Sequence, residues 1–134
     1  MQFFQTAVDI QDKLIEFCMK EEIIPKKYRF IYAIPIIQTA QELVDNIVDA
    51  NTIYVKSNED AIERRRYQQR ASGDCEKLLQ KLQSLRRVRK ISGNKMEEVA
   101  GMIISEKGYI TAWRKSDNKR YREMRKENSG NAGN

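Results

Sequence analysis

Only two prolines and six glycines are spread over 134 residues, so little along this chain stops a helix once it has started. Apolar spacing says where helices run. From about Gln2 to Glu21, Phe3, Ala7, Ile10, Leu14 and Phe17 recur at alternating steps of four and three, which is one stripe of a helix. Val8, Ile15 and Cys18 widen it. A break at Glu22–Pro25 follows, with Pro25 suited to a first helical position. The second helix then runs to about Val55. Its apolar residues, from Phe30 through Ile36, Leu43 and Ile47 to Val55, cover about half the circumference. That is more than one packed side needs, so a second cover, by another subunit, is expected. Pro35 either kinks this helix near Ile31 or marks its true start.

Ser57-Asn58-Glu59-Asp60 reads as a helix N-terminus, with a serine cap and two carboxylates in the first turn. The third helix runs to about Val88 on the stripe Ala61, Arg64, Tyr67 with Gln68, Ala71, Cys75, Leu78, Leu82 and Leu85. Ile91–Asn94 is the next turn. A fourth helix spans Lys95 to about Lys115, with Met96, Val99, Ala100, Ile103, Ile110 and Trp113 facing in. The expected architecture is all-α, an antiparallel up-down-up-down four-helix bundle over residues 1–115, because short connections favour antiparallel neighbours. Residues 116–134 show no apolar period and are expected to form a basic, partly disordered tail, with 129–134 disordered. A turn near Ser57 would set Leu78 level with Ile37, Leu82 with Ala33, Arg65 with Asp49 and Arg64 with Asn51.

Histidine is absent. That removes imidazole acid–base catalysis, every histidine-activated nucleophile and every histidine-containing metal site, including the Glu-x-x-His di-metal bundle. Two cysteines, Cys18 and Cys75, are too few for a Cys-rich zinc site or a multi-disulfide frame. Both fall on apolar stripes, where inert buried thiols are expected. Asp45 and Asp49, one turn apart, lie beside the apolar arc, where solvent or an arginine suits them better than proton transfer. No Gly-rich phosphate loop and no membrane-length apolar run occurs. A non-enzymatic, cofactor-free, metal-free, cytoplasmic protein is expected.

The formal charge is +6, from 25 basic and 19 acidic residues, and it is clustered. Lys26, Lys27 and Arg29 precede the apolar core of the second helix. Arg64, Arg65, Arg66 and Arg70 lie early in the third, beside Tyr67, and Arg86, Arg87, Arg89 and Lys90 end it. Seven basic residues, among them Arg114, Lys115, Lys119 and Arg120, lie beyond Trp113. Antiparallel packing would bring 26–29 and 86–90 to one end of the bundle and 114–122 to the other, near Arg64–Arg70. Arginine forks bind phosphate and aromatic rings stack on exposed bases, so cations interleaved with Tyr28, Phe30, Tyr67, Trp113 and Tyr121 suit nucleic acid, RNA more readily than duplex DNA. Purely structural accounts also fit. Basic residues at a helix C-terminus complement its dipole, Arg64–Arg70 can pair with Asp60 and Glu63 or brace the end of the bundle, and Trp113 suits a core anchor. A helix-turn-helix reading lacks a short recognition helix behind a tight turn.

Four segments carry a resemblance. Ile24-Pro25-Lys26-Lys27-Tyr28-Arg29-Phe30, Leu43–Asn51 (LVDNIVDAN), Asp74–Gln80 (DCEKLLQ) and Trp113-Arg114-Lys115-Ser116-Asp117, with the helix layout, make residues 3–120 similar to small basic four-helix-bundle proteins of bacterial mobile elements. These are the accessory variability determinant of diversity-generating retroelements and the ribosomal RNA intervening-sequence proteins. The resemblance implies a ring-shaped homopentamer with a positive surface. It implies binding to RNA, or an RNA/DNA hybrid, and to a reverse transcriptase in support of mutagenic cDNA synthesis, with no catalytic residues of its own. The 26–29, 64–70 and 86–90 clusters would then be RNA or polymerase contacts. Pro35 and the long basic stretch after Trp113 depart from the pattern. The competing expectation is an adaptor bundle that binds an acidic protein and no nucleic acid.

Overall fold

A computed structural model describes the backbone of residues 2–91 and 93–132 and the side chains of these up to residue 127. Among them there are four α-helices and no strand: α1 (Gln2–Met19), α2 (Ile34–Thr52), α3 (Asn58–Arg89) and α4 (Gly93–Ala132). Each helix packs on two others, α1 and α3 both lying against α2 and α4. The directions are fixed by side chains. Phe3 stacks on Trp113 while Lys13 pairs with Glu98, so α1 and α4 run antiparallel. Arg64 pairs with Asp117 and Lys107 with Glu76, so α3 and α4 do too. One apolar core joins the helices, with Ile10 and Leu14, Ile36, Leu43 and Ile47, Leu78 and Leu85, and Ile103 and Ile110 fully buried. No helix is long and apolar enough to cross a membrane.

The entry to α2 settles the question posed by Pro35. Ile23 and Ile24 plug the core after α1, Lys26–Tyr28 form one 3₁₀ turn, and Arg29–Ala33 form a π-turn that runs straight into α2. Pro25 stands just before the 3₁₀ turn rather than opening a long helix. Pro35 lies in the first turn of α2. A proline there has no N–H to give and crowds the carbonyl four residues back. The wider π-turn, in which the Ile34 N–H reaches the Arg29 carbonyl, makes room. The α-helix proper therefore starts at Pro35's turn.

Two expectations are corrected. First, α3 sits further along α2 than a turn at Ser57 predicts. Asn46 donates to Asp74 at 2.7 Å, about six residues from the Gln68 level expected to face it. The cause is the extended connection Ile53–Ser57, which carries the chain past the end of α2 at roughly 3.3 Å per residue. The levels drawn for Leu78 with Ile37 and Leu82 with Ala33 shift with it, and Asp49 stays exposed instead of meeting Arg65. Second, α4 does not stop at Lys115; it continues to Ala132. Its stripe of Met96, Val99, Ile103, Glu106, Ile110 and Trp113 is prolonged by Asp117 and Tyr121, both buried. Carboxylates at two of these positions hide the period. Residues 133 and 134, the end of the stretch expected to be disordered, lie outside the described residues.

Ser57 caps α3 as expected, its Oγ accepting from the Asp60 N–H at 3.1 Å. Asp60 in turn accepts from the Lys56 N–H, which holds its carboxyl below the usual range. α3 ends at Lys90, a non-glycine residue in the left-handed region (φ 49°), whose N–H closes on the Arg86 carbonyl.

Candidate nucleic-acid interface

The clusters gather at the two ends of the bundle. At the first end Arg89 packs between elements, its guanidinium donating to the Ile23 carbonyl at 3.4 Å and lying 5.7 Å from the Tyr28 ring centre. Lys27 approaches the same ring at 5.1 Å. Tyr28 thus joins the 26–29 and 86–90 segments, as antiparallel packing requires. Lys26, Lys27, Arg86, Arg87 and Lys90 are exposed around it, and Arg29 is half-buried. The Nε of Arg29 is buried with no hydrogen-bond acceptor among the described residues. Phe30 and Ile31, next in the chain, are 82% and 66% exposed.

At the second end the arginines divide into two kinds. Arg64 is structural. Its side chain is 12% exposed and that of its partner Asp117 is 7%. Arg64 holds both carboxylate oxygens, at 2.8 and 3.3 Å, and also donates to the Ile53 carbonyl. Gln68 donates to the same carboxylate at 2.8 Å, and the guanidinium lies 5.1 Å from the Trp113 ring centre. Trp113 is stacked on Phe3, with centroids 4.1 Å apart. The brace that sequence placed between α3 and α2, or within α3, is therefore built between α3 and α4.

Arg65, Arg66, Lys115, Lys119 and Arg120 are exposed. Arg65 donates to Asn118 at 2.7 Å, while Arg120 lies 3.8 Å from Asp117 and 5.5 Å from the Tyr121 ring centre. Arg114 is half-buried, its Nε without an acceptor among the described residues. Arg70 does not join this end. It stacks on Tyr67 and borders a groove between α2 and α3 that also holds Glu42, Asp45 and Asp74.

Sequence reasoning missed the connection Ile53–Ser57. Tyr54 stands 78% exposed, with the Lys56 ammonium 5.7 Å from its ring centre. An exposed tyrosine among β-branched residues read as the end of a helix stripe; only the extended backbone turns it outward.

The middle of the bundle holds a buried polar layer. Glu106 is fully buried, with neither carboxylate oxygen hydrogen-bonded among the described residues. Burial pushes it from an ordinary 4.5 up to about 8. Asp74 is likewise raised by burial, which the Asn46 hydrogen bond only partly offsets. Cys18 and Cys75 are free, buried and pushed up to about 12, chiefly by burial, so neither is a ready nucleophile. Among the described residues no group of Cys, Asp or Glu side chains is placed to hold a metal ion. The chain matches no protein-family model, no curated protein and no solved structure.

Proposed function

We propose that this protein is a non-catalytic accessory protein that binds RNA through the basic ends of its helical bundle. One observation carries the reading. At both ends, cations from separate elements lie beside tyrosines: exposed Lys27 and half-buried Arg89 about Tyr28, and exposed Lys56 and Arg120 about exposed Tyr54 and buried Tyr121. Cation clusters attract phosphate at long range, and an accessible ring, as Tyr54 is, gives an unpaired base a face to stack on. The resemblance to accessory variability determinants supplies the finer proposal: a cytoplasmic homopentameric ring that presents template RNA, or an RNA/DNA hybrid, to a reverse transcriptase for mutagenic cDNA synthesis. Exposed Phe30, Ile31 and Val48 support self-association, since these apolar side chains are left uncovered by the single chain.

The test is light scattering of the purified protein, alone and with a structured RNA, across a salt series. The expected result is an oligomer that takes up RNA and releases it with a log–log salt slope near −0.7 per single-strand phosphate contact. A monomer indifferent to RNA would overturn the reading and leave an adaptor for an acidic protein.

A further inference from the structure

The start of α1 lies level with Trp113, because Phe3 stacks there. Beyond that level α4 continues without α1 beside it. The connection Ile53–Ser57 and the first turns of α3 flank it instead. Three elements that do not close against one another leave a groove of about 490 Å³, lined by Val55, Lys56, Ile62, Arg65, Tyr121 and Arg125. On the other side of the connection a second recess, bordered by Asn51, Tyr54, Arg120 and Met124, continues it.

The two recesses have three properties in common. Their exposed charged side chains are all cationic: Lys56, Arg65, Arg120 and Arg125. Two carboxylates of the flanking helices are engaged, Asp117 by Arg64 and Gln68, and Asp60 by the Lys56 N–H. An exposed aromatic ring, that of Tyr54, stands at the divide with the Lys56 ammonium 5.7 Å from its centre. The groove also contains an unmet polar group. Tyr121 is 7% exposed, yet its hydroxyl has no hydrogen-bond partner among the described residues. A buried hydroxyl without a partner is costly unless something supplies one.

We infer that this groove is a binding site for single-stranded nucleic acid, with Tyr54 stacking on an unpaired base while Lys56, Arg65, Arg120 and Arg125 hold the backbone on either side of it. The chemistry fits a single strand better than a duplex. A ring stacks on a base only where the base is unstacked, and cations line both recesses that meet at the connection carrying the ring, as a backbone running past it requires. An acidic peptide would satisfy the cations but would leave Tyr54 without a flat partner. The inference rests on the RNA-binding reading and deepens it by naming the strand state and the residues.

The experiment is fluorescence anisotropy with a short, labelled single-stranded RNA and a duplex RNA of the same length, on the full chain. Wild type should bind the single strand more tightly. Tyr54→Ala should weaken single-strand binding about ten-fold or more and leave duplex binding unchanged, and Tyr54→Phe should restore it. Arg65→Ala with Arg125→Ala should flatten the salt slope by about 1.4, at roughly 0.7 per contact. Tyr121→Phe, which removes only the unpartnered hydroxyl, should weaken binding several-fold without lowering Tm.

Wild type that binds RNA while Tyr54→Ala binds equally well would overturn the groove and spare the broader reading. Wild type that binds neither RNA would overturn both. A change in particle mass on Tyr54→Ala, seen by light scattering without RNA, would make the connection a contact between copies and overturn the inference.

Discussion

Arg64 and Arg66 are two residues apart and have different tasks. Arg66 points to solvent, while Arg64 is spent on a carboxylate even more buried than itself. Removing one partner of a buried pair leaves the other charge uncompensated, at a cost of about 3 kcal/mol. Arg64→Ala should therefore lower the denaturant midpoint sharply, and Arg64→Lys should recover little, since an ammonium cannot span both Asp117 oxygens. Arg66→Ala should stay within about 0.5 kcal/mol of wild type. Equal effects of the two alanines on unfolding would refute the distinction. Glu106 allows a second test. Its folded-state pKa lies near 8 against an ordinary 4.5, so folding favours the protonated form. The stabilisation is fully present below about 4.5 and is lost as pH rises towards 8, where the folded carboxyl must ionise as well. Glu106→Leu removes the ionisable group and the unpartnered oxygens together. Its stability advantage over wild type, read from urea unfolding, should grow by up to about 1.4 kcal/mol per pH unit across that window, then level off. An advantage independent of pH would show that burial does not raise the Glu106 carboxyl in the folded protein.

The end of α3 shows how local geometry and surface charge compete within one element. Lys90 adopts a left-handed conformation with φ 49°, a position that glycine fills without the Cβ penalty. Lys90→Gly should stabilise the protein by about 0.5–1 kcal/mol in urea unfolding. If Lys90 meets RNA at the first basic end, the same substitution should reduce affinity. Stability and binding would then move in opposite directions, whereas a residue without a binding role would change stability alone. The elements themselves were legible wherever apolar spacing was unbroken. On α3, Ala61, Gln68, Ala71, Cys75, Leu78, Leu82 and Leu85 are buried as the stripe predicts. On α4 the stripe was legible to Trp113 and then lost, because Asp117 and Tyr121 occupy its next positions, and Asp117 is buried against an arginine partner that no local pattern announces. The α2–α3 register was illegible for a related reason. It depends on whether five connecting residues coil or extend, and Ile53–Ser57 extend because Ser57 caps a new helix rather than continuing the old one. The clustering at the first end followed from antiparallel order alone, while the groove at the second needed both missed facts, the longer α4 and the extended connection.

At the scale of the whole molecule, the apolar surface and the basic surface are neighbours. Phe30 and Ile31 follow directly on Lys26, Lys27 and Arg29, and the π-turn that accommodates Pro35 leaves both of them facing water. Apolar side chains this exposed beside a charged cluster suit a contact between copies better than a solvated face. If copies join there, each contact sets basic ends side by side, and a long RNA engaged by one subunit meets the next at high effective concentration. Assembly and RNA affinity are then coupled through two residues that carry no charge. Phe30→Ser with Ile31→Ser should leave the helical fold of the single chain intact by circular dichroism, because neither side chain is part of the core. The variant should scatter light as a smaller particle than wild type. Its affinity for a long RNA should fall by at least ten-fold, while its affinity for a strand too short to bridge two subunits should hold. A variant that stays assembled would move the contact to another face of α2. One that dissociates yet binds long RNA as tightly as before would show that each bundle acts alone, and that the charge at its two ends suffices.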